Sequence, residues 1–324
     1  MPDPVHARII VNPSAAGSRD YGQALRSAAG VFAEAGWTVS WRQTAATGHA
    51  EVLARQAAED GIDIVVAAGG DGTVNEVTNG LVGTPAALAV LPAGTGNVFA
   101  AQMGLLGIPT PLNRPNLPAA AEALVQGRVR PVDTGFAQPR GLPGRFFLLW
   151  AGIGLDAAVA HLLEGEAHEL KRLFGPMAYG AVGLKTALEI SGTTASIRCD
   201  EQRLQAGRLI MGIVANIPLY AGTVQLTPDA LLDDGQFEVS LFGGESVFDA
   251  IEHVGALLAG LPADDPDRRF VTRAKHVRIL TARPLPVHLD AEPFGTTPVS
   301  ITLRAHSLNL LVPPTAPGGL FSGE

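Results

Sequence analysis

The sequence predicts an α/β domain built on a parallel sheet, followed by a second domain that is mainly antiparallel β. Three observations carry this reading. Strand-like apolar runs alternate with helical patterns over the first third of the chain. A glycine-rich loop, within VVAAGGDGTVNEV at 65–77, lies between one such run and a helical pattern. After VRPVDTG at 129–135 the texture changes, and strand-like runs dominate. Alternating strand and helix patterns imply parallel strands with helices on the sheet faces. Consecutive strand patterns with few helices imply antiparallel pairing.

In order, Ala7–Val11 reads as a strand, about Gly22–Ala35 as a helix, Thr38–Arg42 as a strand and Ala50–Glu59 as a helix. Ile62–Ala67 is the next strand, Thr73–Leu81 a helix and Ala87–Leu91 a strand ending in LPAGTGNVFA. Val74, Val77 and Leu81 recur at helical spacing. IPTPLNRPNLP at 108–118, with four prolines, reads as a surface loop. Beyond it, RFFLLWA, ASIRCD, RLIMGIVAN, QFEVSLF, RRFVTRAKHVRIL, PVHLD and VSITLRA are strand-like, and helices are expected only near Gly175–Glu189 and Val247–Ala259. The domains expected are 1–133 and 134–305, and the proline- and glycine-rich tail 314–324 reads as disordered.

Composition narrows the function. The 324 residues are 47% hydrophobic, which suits two domains with sizeable cores. A net charge of -8 speaks against nucleic acid as a partner. The lone cysteine, Cys199, excludes a disulfide framework and fits a reducing cytoplasm. Neither a signal peptide nor an apolar run of the roughly 20 residues a membrane span needs is expected.

Ligands of parallel sheets bind beyond the carboxyl ends of the strands. NPSAAG at 12–17, GGDGT at 69–73 and PAGTGN at 92–97 all follow strands and are expected to converge on one crevice. A strand running through glycines into a helix presents backbone N–H groups to a phosphate. The loop lacks the Lys-Ser/Thr of a Walker pattern. Asp71 places a carboxylate inside this anion site, which makes sense if a divalent cation lies between carboxylate and phosphate.

Gly69-Gly70-Asp71-Gly72-Thr73 with Asn75-Glu76, then Pro92-Ala93-Gly94-Thr95-Gly96-Asn97, resembles the diacylglycerol kinase catalytic domain shared by bacterial lipid kinases and sphingosine kinases. The likeness extends to Asn12-Pro13, Thr44 with Gly48, Asp133 in VDTG, GIGLDA at 152–157, KRLFGPMAYG at 171–180, LDDGQF at 232–237 and DAEP at 290–293. These anchors follow family order across nearly the whole chain. NAD kinases share GGDGT and the architecture, but PAGTGNVFAAQ fits the lipid kinases better.

The resemblance implies a fold of the NAD-kinase and diacylglycerol-kinase type. ATP would be held mostly by the first domain, and a lipid alcohol, diacylglycerol-like or sphingoid, between the two. About 306–313 would return to the first domain. It implies transfer of the ATP γ-phosphoryl group to a lipid hydroxyl. Glu292 is the implied general base, with Ala291 where the family has glycine. Asp71 would orient Mg²⁺ on ATP; Gly70, Gly72 and Thr73 would donate hydrogen bonds, with Gly94, Thr95 and Asn97 opposite and Asn12 and Thr44 at the nucleotide. Asp133, Lys171 and Asp233 would form a supporting polar network, although Lys171 beside Arg172 serves equally as a solvated helix start. Asp234 matches a structural Mg²⁺ ligand, and Asp156 is assigned to the lipid hydroxyl region.

Two positions depart from many relatives: Ser14 replaces a basic residue after Asn-Pro, and Val98 replaces an aspartate. A nucleotide-binding regulatory protein without kinase activity is the reading these departures would favour; Asp71 and Glu292 speak against it. WAGIGLDA carries a dinucleotide-like G-x-G-x-x-A but lacks the acidic residue about 20 positions on. His49, His161 and His288 lack metal-ligand spacing and read as structural or surface residues. RRFVTRAKHVRILTAR at 268–283 carries seven basic residues, counting His276, and no acidic one. It reads first as a guarded edge strand, and second as a membrane-facing patch of Arg269, Arg273 and Lys275. The expected setting is cytoplasmic and peripheral to the membrane; homodimerisation is left open.

Overall fold

The computed structural model describes residues 4–13, 19–94, 96–106, 116–158, 191–220, 224–225, 227–246, 248–249, 252, 255 and 269–323. The expected helix near 175–189 lies outside these, as does most of that near 247–259.

The first half is the anticipated alternation: β1 (His6–Val11), α1 (Arg19–Glu34), β2 (Thr38–Gln43), α2 (His49–Glu59), β3 (Ile64–Gly69), α3 (Asp71–Leu81) and β4 (Ala87–Pro92). Strands β2, β1, β3 and β4 lie side by side and parallel. β3 and β4 are buried at every position, which is why their sequences are unbroken apolar runs. In α2, Ala50, Leu53, Ala54 and Ala57 form the buried stripe, at the spacing of one helix face. Two short helices were not anticipated, α4 (Val98–Gln102) and α5 (Leu117–Val125). Pro118 sits in the first turn of α5, where its missing N–H costs nothing, and the Asn116 side chain accepts from Ala119 N at 3.2 Å.

The second half is antiparallel: β6 (Arg145–Phe147), β7 (Trp150–Gly154), β8 (Thr193–Cys199), β9 (Gln202–Ala215), β12 (Phe237–Gly243), β13 (Arg269–Ala274), β14 (His276–Thr281), β15 (Pro286–Leu289) and β16 (Glu292–Thr296). A small pair, β10 (Leu219–Tyr220) and β11 (Val224–Gln225), stands apart. The strands bury a second core that includes Phe147, Ile153, Val239, Ile279 and Val287.

Two long strands join the halves. β17 (Val299–Val312) starts antiparallel to β14 and ends parallel to β4, with Asn309 opposite Ala87. β5 (Arg128–Pro139) pairs with β17 from end to end, so residue 133 falls inside a continuous strand. The register shifts between Arg304 and Leu308, and the shift is stapled by Asp133. Its carboxylate accepts His306 N and Gly235 N, each at 2.7 Å.

The tail corrects the expectation of disorder. Leu320 and Phe321 are each 2% exposed, and the Arg130 guanidinium lies 4.1 Å from the Phe321 ring centre. The two apolar residues near the end supply the burial that the surrounding prolines and glycines obscured. Among the described residues, no helix is long and apolar enough to cross a membrane.

Candidate active site

The GGDGT segment is the turn from β3 into α3, with the helix starting at Asp71 itself. The first helical bond runs from Val74 N to Gly70 O at 3.1 Å, so the amides of Gly72 and Thr73 precede the ladder. Such leading amides, at the positive end of an eleven-residue helix, suit a phosphate. The glycines are also sterically required. A Cβ on Gly94 would strike the backbone of Gly70, so the two loops touch main chain to main chain. Asn97 closes the second loop upon itself: its Oδ1 accepts Gly94 N at 2.8 Å and its Nδ2 donates to Gly94 O at 2.7 Å.

Asp71 has a partner that sequence reasoning missed. Its carboxylate accepts Val98 N at 3.0 Å and Phe99 N at 3.1 Å, holding the start of α4. The contact at position 98 is through the backbone, which valine supplies as well as aspartate. Burial raises the Asp71 carboxyl above its ordinary range, and the backbone donors oppose this. As a hard oxygen donor beside a phosphate site, the carboxylate fits Mg²⁺, which is commonly held by one or two carboxylates together with substrate phosphates. Asp234 does not fit the expected structural Mg²⁺ site. Its oxygens meet Gln236 N, at 3.0 Å, and the Arg273 guanidinium, so the cation beside it is a side chain. No cluster of three metal-ligating residues occurs among the described residues.

A cleft of about 370 Å³ is lined by Asn12, Pro13, Thr44 to Thr47, Gly72, Thr73, Glu76 and Glu292. It brings together five residues expected at the site: Asn12, Thr44, Gly72, Thr73 and Glu292. Asn12 Nδ2 donates to Thr73 Oγ1 at 3.2 Å. The wall at 44–48 is held from behind: Glu76 accepts Gly48 N at 2.7 Å and Ala50 N at 2.9 Å, and His49 Nδ1 accepts Ala45 N at 2.9 Å. Thr95, Lys171 and Ser14 lie outside the described residues. Asp133 and Asp233 are not in the cleft. Asp233 receives Ser322 N at 2.6 Å and faces Arg130 at 3.4 Å, so both aspartates fasten the β5–β17 junction and the tail.

Glu292 comes from the other half of the molecule. It follows a two-residue turn in which Asp290 and Ala291 both take positive φ, 50° and 71°. That is the backbone of a type I′ hairpin, where glycine is usual at the second position. The turn is held by Asp290, which is fully buried and accepts Asn75 Nδ2 at 2.7 Å, Leu148 N at 2.9 Å, Leu149 N at 2.8 Å and Trp150 N at 3.1 Å. Burial raises this carboxyl too, against the pull of four donors. A second brace comes from Ala291 N, which donates to His288 Nδ1 at 3.1 Å, while His288 Nε2 meets Asp156 Oδ2 at 2.7 Å. With Nδ1 accepting, Nε2 carries the ring proton and donates to Asp156.

Asp156, assigned from the sequence to the lipid hydroxyl region, and His288 are thus buried supports of the turn, at 5% and 1% exposure. They also explain Gly152 in WAGIGLDA, where a Cβ would collide with both side chains.

The Glu292 carboxylate spans the halves. Oε2 pairs with Arg145 Nη2 at 2.6 Å, and Oε1 lies so close to Gly72 that a Cβ there would overlap it. The same α3 grips β6: Asn79 Oδ1 accepts Phe146 N at 2.8 Å and its Nδ2 donates to Phe146 O at 2.9 Å. Glu292 is therefore seated on α3 through a clamp of Asn75, Asn79, Asp290 and Arg145.

Comparisons with known proteins show the family. The diacylglycerol kinase catalytic domain model matches residues 6–137, and the YegS C-terminal NAD kinase beta sandwich-like domain model matches residues 151–312. The chain belongs to the family of diacylglycerol kinase and YegS-like lipid kinases. A "Diacylglycerol kinase" of Bacillus subtilis (strain 168) is 29% identical over 309 residues, covering 95% of this chain and 96% of its own. A "Probable lipid kinase YegS-like" protein of Pseudomonas putida is 30% identical over 303 residues, 93% of this chain and 94% of its own. A crystal structure of a diacylglycerol kinase from Bacillus anthracis str. Sterne shares the fold, with a TM-score of 0.71 at 24% identity over 96% of this chain and 98% of that one.

Proposed function

We propose that this lipid kinase moves the γ-phosphoryl group of ATP to the hydroxyl of a diacylglycerol-like lipid, working in the cytoplasm at a membrane surface. The observation that carries the reading is the seat of Glu292: a carboxylate of the β-rich half rests on Gly72, in the first turn of the phosphate helix. A reaction joining a phosphate on one half to an acceptor on the other would use such a contact. The names of the similar proteins favour diacylglycerol over a sphingoid acceptor.

In this reading Gly72 and Thr73 cradle the phosphates with their amides, and Asn12 and Thr44 border the nucleotide. Asp71 holds the Mg²⁺ that travels with ATP and supplies charge neutralisation during transfer. Glu292 accepts the acceptor's hydroxyl proton, and Arg145 fixes the carboxylate's direction through Oε2. Such a base contributes about 10²–10⁴-fold.

The test is phosphorylation with labelled ATP across diacylglycerol, ceramide, sphingosine and NAD. Labelling of diacylglycerol above the others is expected. Labelling of NAD alone would make the protein an NAD kinase, and labelling of none, with ATP still bound, a regulatory nucleotide-binding protein; either sinks the proposal.

A further inference from the structure

Five neighbouring strands, β9, β8, β14, β17 and β5, turn one face outward. β8 alternates strictly between buried and exposed side chains, and β14 does so from His276 to Leu280. The register sets Arg203 opposite Arg198, Arg198 opposite Arg278, Arg278 opposite Ser300 and Ser300 opposite Gln138. All five are exposed. Directly opposed residues share a face, so three guanidinium side chains stand side by side on strands about 4.8 Å apart. The row contains no carboxylate.

Like charges opposite one another destabilise a ladder. Arg198 has one acidic partner, Glu201 at 3.0 Å, whose side chain is 96% exposed, so the pair exchanges readily with solvent. Arg203 and Arg278 have no acidic partner among the described residues. Beside the row, a hollow of about 330 Å³ collects Arg198, His276, Arg278, Ser300 and Thr302, together with the carboxylates Asp200 and Glu201. The Asp200 carboxylate is engaged by the amides of Lys275 and His276, and that of Glu201 by Arg198. An arginine row on a chain of net charge -8 is a local reversal of sign.

The patch expected from the sequence does not have this form. β13 pairs only with β12, Arg273 is neutralised by Asp234, and Lys275 lies beyond the end of the strand.

We propose that this outer face docks the protein on an anionic lipid surface, with Arg203, Arg198 and Arg278 meeting headgroup phosphates and Ser300 and Thr302 adding donors. The proposal rests on the lipid-kinase reading only for the source of the surface. A broad sheet face can lay several arginines on a bilayer at once, and each basic residue near such a surface strengthens binding about fivefold.

The experiment is co-sedimentation with phosphatidylcholine vesicles carrying increasing phosphatidylglycerol, at low and high salt. The protein should bind as phosphatidylglycerol rises and release with salt, as screening over about 10 Å at 0.1 M requires. The triple variant Arg198→Gln, Arg203→Gln, Arg278→Gln should lose about 100-fold in binding. Lys275→Gln should lose little, and both should phosphorylate a short-chain soluble diacylglycerol at the parent rate. Should the triple variant melt early, Arg203→Gln and Arg278→Gln singly should each lose about fivefold. Binding indifferent to phosphatidylglycerol, or unchanged in the variants, overturns the proposal. Arginine-dependent vesicle binding with no lipid phosphorylated would leave docking standing and remove the kinase reading instead.

Discussion

At the scale of single residues, the site separates chemistry from support. Glu292→Gln keeps an oxygen for Arg145 and removes the proposed base, so turnover should fall about 10²–10⁴-fold. ATP affinity, read by calorimetry, should hold. Asp71→Asn should abolish nearly all transfer and also lower stability. An amide NH₂ would face the N–H of Val98 or Phe99, and a buried donor left unmatched costs about 1–3 kcal/mol. Transfer near the parent rate at saturating Mg²⁺ would remove Asp71 from the phosphate site. Ala291 bears a left-handed conformation at φ 71°. That conformation costs a non-glycine residue roughly 1–2 kcal/mol, partly offset in glycine by chain entropy. Ala291→Gly should therefore raise thermal stability by up to about 1 kcal/mol with activity retained, and a lower melting temperature would refute the strain. The motif residues were legible because apolar run, glycines and carboxylate are adjacent in the chain. Asp290 and Arg145 were not read in their present roles, because their partners lie far away: Asp290 reaches Asn75 across 215 positions and Leu148 across 142.

Among the elements, α3 does the most to place the site, since one helix carries the amides proposed to meet phosphate and offers Glu76 to α2 and Asn75 and Asn79 to the β-rich half. Its existence was legible from Val74, Val77 and Leu81, but the two asparagines are ordinary helix residues until β6 is beside them. β12 carries a different feature, Glu238, which is 3% exposed and accepts Asp229 N at 2.8 Å. Burial pushes its carboxyl from 4.5 to about 7. Between those pH values the folded protein keeps a proton that the unfolded chain has released. The contribution of Glu238 to stability is therefore fully present below about 4.5 and is lost as pH rises through about 7, at up to about 1.4 kcal/mol per pH unit. Glu238→Gln retains the acceptor oxygen and should flatten this part of the profile, gaining most at pH 8 in denaturant titrations. An unchanged slope would assign it to other buried carboxyls such as Asp133.

For the whole molecule, the joined strands decide how it unfolds. β5 gives Val132 to the first core and Ala137 to the second; β17 gives Ile301 to the second and Leu310 to the first. Neither core can open without stripping strands from the other. Fluorescence, circular dichroism and calorimetry should accordingly report one coincident transition, and two separated ones would show independent halves. Composition made the change from α/β to β legible near residue 133, but not that the chain crosses it in mid-strand. The strand pair matters beyond folding, because it removes the seam that gene exchange would use. A recombinant joining residues 1–133 of this chain to the remainder of a relative would divide β5 within its pairing to β17, at the aspartate that staples the register shift. Grafting a new acceptor pocket onto this nucleotide half thus requires moving β5, β17 and the Leu320–Phe321 anchor as one inherited piece.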